Sequence, residues 1–165
     1  MSVVSLRGAA LFIAGAITGG LLMNAGFAQS EPGMKLNHIG IAVKNFDEAV
    51  NYYTKTMGFR PAFALKNADG SPALTYLQIS KDTFLEIQPA GTTQTVGITH
   101  FGLEFGDVRH YVTGLQRMGV MVKDAAASAR TGATLTNATD REGIRAELVE
   151  NGPESLQRKA INAWK

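Results

Sequence analysis

The sequence contains no cysteine among its 165 residues. That excludes disulfides, thiolate metal sites and a cysteine nucleophile, and leaves nitrogen and oxygen as the only donors for a metal. The absence of thiols also suits an oxidising compartment. Charge is scarce, at 18% of residues, and the net charge is +2 without any cluster of basic side chains. No nucleic-acid surface is offered, and no such partner is expected. Aromatic residues are equally sparse at 8%, yet apolar residues reach 45%. That balance describes a globular chain, long enough for one domain or two small modules sharing a core.

Before Glu31 the only charged side chain is Arg7, and the uncharged stretch ends in Gly26-Phe27-Ala28-Gln29. One cation, an apolar run and small residues ahead of a cut after Ala28 read as a signal peptide over residues 1–28. An uncleaved membrane anchor is the alternative, since ~20 apolar residues span a bilayer. Either reading puts the folded part outside the cytoplasm, periplasmic or secreted, with membrane contact only through an uncleaved N-terminal segment.

The folded part repeats itself. LNHIGIAV begins at Leu36 and ITHFGLEF at Ile98, so that His38 aligns with His100 at an offset of 62 residues. Met57-Gly58-Phe59 then falls on Met118-Gly119-Val120, and Leu85-Glu86-Ile87 on Ala146-Glu147-Leu148, both at an offset of 61. Each half carries one His near its start and one Glu near its end.

Periodicity gives both halves the same plan. Residues 36–43 alternate as a strand, with Ile39, Ile41 and Val43 on one face and His38, Gly40 and Ala42 on the other. An apolar stripe of Phe46, Ala49, Val50, Tyr53 and Met57 predicts a helix stopped by Gly58. Strands follow at 60–65, 74–80 and 83–88. The second half predicts a strand at 98–105 and a helix from Asp107 with Val108, Val112, Leu115 and Met118 on one side. Further strands are expected near 120–123, 133–138 and 144–149, with 125–131 as a loop. The fold class is therefore α+β, with two tandem βαβββ modules at residues 36–90 and 97–150. A tail over 151–165 has Leu156, Ala160 and Trp164 at helical spacing.

Strand parity sends His38, Glu86, His100 and Glu147 to the helix-free face of the sheet. A single His on a strand is usually a hydrogen-bonded structural residue, and a single Glu usually meets solvent. Four such residues sharing one parity and one repeat are better explained as ligands of one divalent ion on a pseudo-twofold axis. Two neutral imidazoles and two carboxylates suit Zn, Ni, Co, Mn or Fe(II). Tyr76, Phe84, Gln88, Glu104 and Arg145 share that face and are candidate substrate contacts, with Arg145 as an anion-binding fork.

HIGIAVKNFDEAVNYYTKTMGF resembles the first strand and helix of the vicinal oxygen chelate superfamily, the glyoxalase, bleomycin-resistance and extradiol-dioxygenase group. DREGIRAELVE resembles its closing turn and strand, with Arg141 where a proline is common. The resemblance runs over residues 35–150. It implies a cupped, mostly antiparallel mixed sheet around a divalent metal that chelates neighbouring substrate oxygens and stabilises an enolate-type intermediate. It also implies a catalytic base among the ligands, Glu147 or Glu86, and a lyase or isomerase acting on a small molecule. The four-ligand set is similar to the glyoxalase I and methylmalonyl-CoA epimerase branch, although bacterial glyoxalase I enzymes often have Arg at the position of Ala42. An extradiol Fe(II) dioxygenase and a non-catalytic small-molecule binding or resistance protein are the alternatives. Open sheet edges make a homodimer the expected assembly.

Overall fold

Two strands form the seam on which everything else is hung: Lys35–Val43 (β1) and Gly97–Glu104 (β5), paired antiparallel. The structure, a computed structural model, describes residues 33–92 and 95–165. The predicted signal segment, 1–28, lies outside the described residues.

After β1 the chain enters the helix Phe46–Asn51 (α1), with Asp47 and Glu48 in its positively polarised first turn. The helix widens into a π-helical turn over Tyr52–Thr56, and Gly58 ends it at a φ of +75°. Arg60–Lys66 (β2), Pro72–Gln78 (β3) and Phe84–Pro89 (β4) complete the first half. The second half follows β5 with the helix Val108–Arg117 (α2), whose first turn is capped by Asp107 accepting from the His110 amide at 2.9 Å. Ala126–Ala127 (β6), Thr134–Thr139 (β7) and Arg145–Glu150 (β8) come next, and a short helix, Leu156–Asn162 (α3), closes the chain.

The strands make one eight-stranded sheet in the order β2-β3-β4-β1-β5-β8-β7-β6. β1 runs parallel to β4, and β5 parallel to β8; every other neighbouring pair is antiparallel. The two halves are thus mirror sequences of strands about the seam, in an α+β fold with a mostly antiparallel mixed sheet. Among the described residues no helix is long and apolar enough to cross a membrane.

Alternation supplies the packing. Ile39, Ile41, Leu77, Leu85 and Ile87 meet Phe46, Ala49, Val50 and Tyr53 of the first helical segment. Phe105, Val108, Val112 and Leu148 form the corresponding core of the second half. A third cluster lies under α3, where Ile161 packs on Tyr76 and Phe84.

Three local expectations differ from the structure. Met57 and Met118 do not finish their apolar stripes but stand 49% and 54% exposed. The π turn breaks the 3.6-residue period before Met57, and Met118 lies one residue beyond α2. No strand forms over 120–123, where Met121 is 97% exposed; the edge strand is instead β6, inside the stretch read as a loop, because there the backbone pairs with Leu135 and Thr134. The buried face of α3 is Gln157 and Ile161 rather than Leu156, Ala160 and Trp164. Its entry is set by Ser155, whose hydroxyl accepts from the Arg158 amide at 3.2 Å.

At the seam, His38 lies opposite Gly102 and Gly40 opposite His100. A Cβ on Gly102 would stand 2.1 Å from His38 Cε1, and one on Gly40 2.1 Å from His100 Cε1, far inside van der Waals contact. Each imidazole therefore occupies the space that the other half's glycine leaves open. Gly102→Ala or Gly40→Ala should lower the unfolding free energy by about 1–3 kcal/mol, the usual cost of overpacking. Urea titration tests this against Gly91→Ala, where a Cβ meets nothing within 4 Å and the change should stay within about 0.5 kcal/mol.

Candidate metal centre

Two cross-strand rows build the site. In one, Glu86 of β4, Gly40 of β1 and His100 of β5 lie side by side. In the next, His38 of β1, Gly102 of β5 and Glu147 of β8 do the same. Because the middle residue of each row has no side chain, a carboxylate and an imidazole converge across it.

The donor atoms meet closely. His38 Nε2 and His100 Nε2 are 3.0 Å apart, and Glu86 Oε2 is 3.7 Å from each. Glu147 Oε1 is 3.7 Å from His38 Nε2. His38, Glu86 and His100 offer atoms that all lie within 4.8 Å of one another, and Glu147 joins them through His38.

Bulges orient the rings. The β1/β5 register slips by one residue between Leu36 and His38, and again between Gly40 and Ile41. The extra residues, Asn37 and Thr99, each immediately precede a histidine. A bulge lets two successive side chains turn to the same side, and each of these reaches the Nδ1 of the ring that follows it. Asn37 Nδ2 donates to Glu104 Oε2 at 3.0 Å, so its Oδ1 accepts from His38 Nδ1 at 2.9 Å. His38 then carries its proton on Nδ1 and presents a bare Nε2. Thr99 Oγ1 lies 2.8 Å from His100 Nδ1, and Arg145 Nη2 donates to the same nitrogen at 2.7 Å. That donation leaves the His100 proton on Nε2, where it faces the bare nitrogen of His38.

Burial dominates the electrostatics. It lowers the His38 pKa to about 3, with help from the neighbouring His100 and Arg145 charges, and that of His100 to about 4, assisted by Arg145. Both rings are neutral at physiological pH. Burial, then the Glu86 charge, raises Glu147 to about 7 against the pull of Arg145. Burial raises Glu86 as well, opposed by Tyr76 and the arginines Arg145 and Arg130. Tyr76 Oη donates to Glu86 Oε2 at 2.5 Å, and burial beside the two carboxylates holds its own pKa well above the usual tyrosine value.

This donor set fits a divalent ion. Two imidazole nitrogens bound at right angles at ~2.1 Å stand about 3.0 Å apart, the separation found here. The rings are kept neutral, and two buried carboxylates gain from a cation between them. His38 meets the requirement as it stands. His100 meets it once its proton moves to Nδ1 and is donated to Thr99 Oγ1, which requires Arg145 to give up its contact.

The remaining sequence candidates separate. Tyr76, Glu86 and Glu147 line one cavity of about 130 Å³. Arg145 is bound to His100 and, through Nη1, to Asn137 Oδ1 at 3.1 Å. Phe84 is no wall of that cavity but lies fully buried under α3. Gln88 sits half-buried beside Ala42, one turn of the alternation beyond Glu86. Glu104 is a support instead of a substrate contact, held by Asn37, by Arg158 at 2.8 Å and by Lys35 at 3.8 Å. Sequence reasoning missed Asn37 and Thr99, although their shared position before each histidine was the available signal. It also missed Arg130 and Gln157, which reach the cavity from a loop and from α3.

Comparison with known proteins agrees with this geometry. Residues 35–148 match the family described as the Glyoxalase/Bleomycin resistance protein/Dioxygenase superfamily. No curated protein matched. Among solved structures, a variant methylmalonyl-CoA epimerase from Streptomyces coelicolor, in complex with 2-nitronate-propionyl-CoA, is similar at 24% identity and a TM-score of 0.62, covering 73% of this chain and 96% of that one. Methylmalonyl-CoA epimerase from Mycobacterium tuberculosis is similar at 20% identity and a TM-score of 0.58, covering 72% and 88%. A hypothetical protein from Bacillus halodurans is similar at 19% identity and a TM-score of 0.59, covering 72% and 95%.

The pKa shifts make stability depend on pH in the chelator-treated protein. The histidines, lowered from 6.5, contribute stability that is present above 6.5 and lost as pH falls through about 4 and then about 3. Glu147, raised from 4.5, contributes stability that is full below 4.5 and lost as pH rises through about 7. Through about pH 7 the two contributions oppose each other, because the unfolded imidazoles are still losing protons while Glu147 ionises in the folded protein, so the carboxylate contribution is read as a difference between variants. Urea unfolding between about pH 6 and 8 should show the wild type losing stability relative to Glu147→Gln as pH rises through about 7.

Proposed function

The chain belongs to the glyoxalase/bleomycin resistance protein/dioxygenase superfamily, and on that premise we propose that it is a metal-dependent isomerase or lyase. It moves a proton on a small substrate held through neighbouring oxygens. The observation that carries this reading is the meeting of His38 Nε2, His100 Nε2 and Glu86 Oε2 within 4.8 Å of one another, with Glu147 beside His38. His38, His100, Glu86 and Glu147 would hold a divalent ion there, which would supply Lewis acidity toward neighbouring substrate oxygens.

The chain's own residues divide the rest of the work. Asn37 and Thr99 orient the imidazoles. Tyr76 holds the Glu86 carboxylate by its hydroxyl. Glu147 lines the cavity beside His38 and takes the substrate proton as the general base. Arg145, released from His100, pairs with an anionic substrate group.

The fold of the methylmalonyl-CoA epimerases supports the proton-transfer chemistry. The nearly uncharged stretch before Glu31 supports a location outside the cytoplasm, where a CoA thioester is not expected as the substrate. A dioxygenase with two histidines and one carboxylate needs Glu86 outside the donor set, and Glu86 stands 3.7 Å from both rings. Pure sequestration leaves the four donors without a purpose. We further propose a homodimer, because among the described residues no strand covers the outer edges of β2 and β6.

Elemental analysis of protein purified without chelator should find one divalent ion per chain in the wild type and none in His38→Ala or His100→Ala. In a screen of α-hydroxycarbonyl, catechol and thioester substrates, Glu147→Gln should keep the metal and lose ~10²–10⁴-fold in turnover. Equal loss of metal and turnover in Glu86→Gln and Glu147→Gln would make the carboxylates ligands alone.

Arg145 provides a separate check. Its donation to His100 Nδ1 opposes the tautomer that a metal needs. Arg145→Gln should therefore bind the ion more tightly, by roughly the tenfold typical of contacts behind a ligand. Competition with a chromophoric chelator reads this directly.

A further inference from the structure

The helix α3 lies beyond the residues that match the family, 35–148, yet it reaches the candidate site. Gln157 is 1% exposed and lines the same cavity as Tyr76, Glu86 and Glu147. Its Oε1 is buried without a hydrogen-bond partner. A buried amide oxygen left unpaired is unfavourable, and such atoms are uncommon in folded proteins.

The position of Gln157 is strongly determined. Ile161, one helical turn later, packs on Tyr76 and Phe84. Gln78 Nε2 donates to the Ala160 carbonyl at 3.3 Å, and Arg60 Nη2 to the Ala163 carbonyl at 3.1 Å. Arg158, next to Gln157, is fixed to Glu104, which in turn holds Asn37 and through it His38. The unpaired oxygen is thus held rigidly beside the two carboxylates, and Leu65, Leu74 and Leu135 give the same cavity apolar walls.

We propose that Gln157 is a specificity-determining residue whose Oε1 accepts a hydrogen bond from a hydroxyl of the substrate, so that the preferred substrate is a small hydroxylated carbonyl compound. This rests on the chelation reading above. A molecule that offers neighbouring oxygens to the site can carry the matching donor as one more hydroxyl on the adjacent carbon. The leucines take its hydrocarbon part.

The probes are acetohydroxamate and its 2-hydroxy derivative, which share the chelating oxygens and differ by one hydroxyl. Both are titrated calorimetrically into the metal-reconstituted wild type and Gln157→Leu. The wild type should bind the hydroxylated probe about tenfold more tightly. Gln157→Leu should lose that preference and keep its affinity for acetohydroxamate. Equal binding of the two probes by the wild type overturns the assignment, whether or not the variant folds, and so does a preference that survives in Gln157→Leu. Failure of both probes to bind the wild type overturns the chelation reading itself, and the role of Gln157 falls with it.

Discussion

The structure depends on a reciprocal exchange of space at the β1/β5 seam. Each half places an imidazole over the backbone of the other half's glycine: His38 over Gly102, and His100 over Gly40. A side chain at either glycine would displace the opposing imidazole, because its Cβ would stand 2.1 Å from a ring carbon. The same contact joins the halves into one sheet and brings two ring nitrogens to 3.0 Å. Folding and the candidate chemistry therefore rest on the same few atoms. Only when both modules are paired does either histidine have its partner.

Around that seam lies a layer that fixes which nitrogen faces inward. Glu104 is 4% exposed, a burial that a carboxylate tolerates only when it is well paired. Asn37, Arg158 and Lys35 supply the pairing. The result couples α3 to His38 through three consecutive polar contacts, Arg158–Glu104, Glu104–Asn37 and Asn37–His38. His100 has a different arrangement, with Thr99 and Arg145 competing for its Nδ1. The halves are related by pseudo-symmetry in their strands but not in what stands behind their ligands. That asymmetry gives the two histidines opposite tautomers.

Much of this was readable before any coordinates. The repeat of His38 and Glu86 in His100 and Glu147, and the alternation around each, put four polar side chains on one face of two like modules. Individual contacts were harder to read. Phe84 and Glu104 had the right parity for a cavity wall, but parity states a face and not a depth, and both are covered once α3 folds back over that side. Asn37 and Thr99 had the wrong parity, because a bulge changes it by one residue and leaves no mark in the alternation. The strand expected over 120–123 failed for a related reason, since an apolar β-branched stretch becomes a strand only where a neighbouring edge accepts it.

By itself the sequence determined the periodicities, the duplication and the donor types, since these follow from local alternation and from the chemistry of each side chain. The tertiary structure alone decided the pairing of the two modules across β1 and β5, the filling of each glycine's space by the other half's ring, and the arrival of Gln157 beside Glu86 and Glu147. These contacts join residues far apart in the chain. Their geometry is set by backbone register and helix docking, which depend on the packing of the whole domain and not on the identity of any one residue.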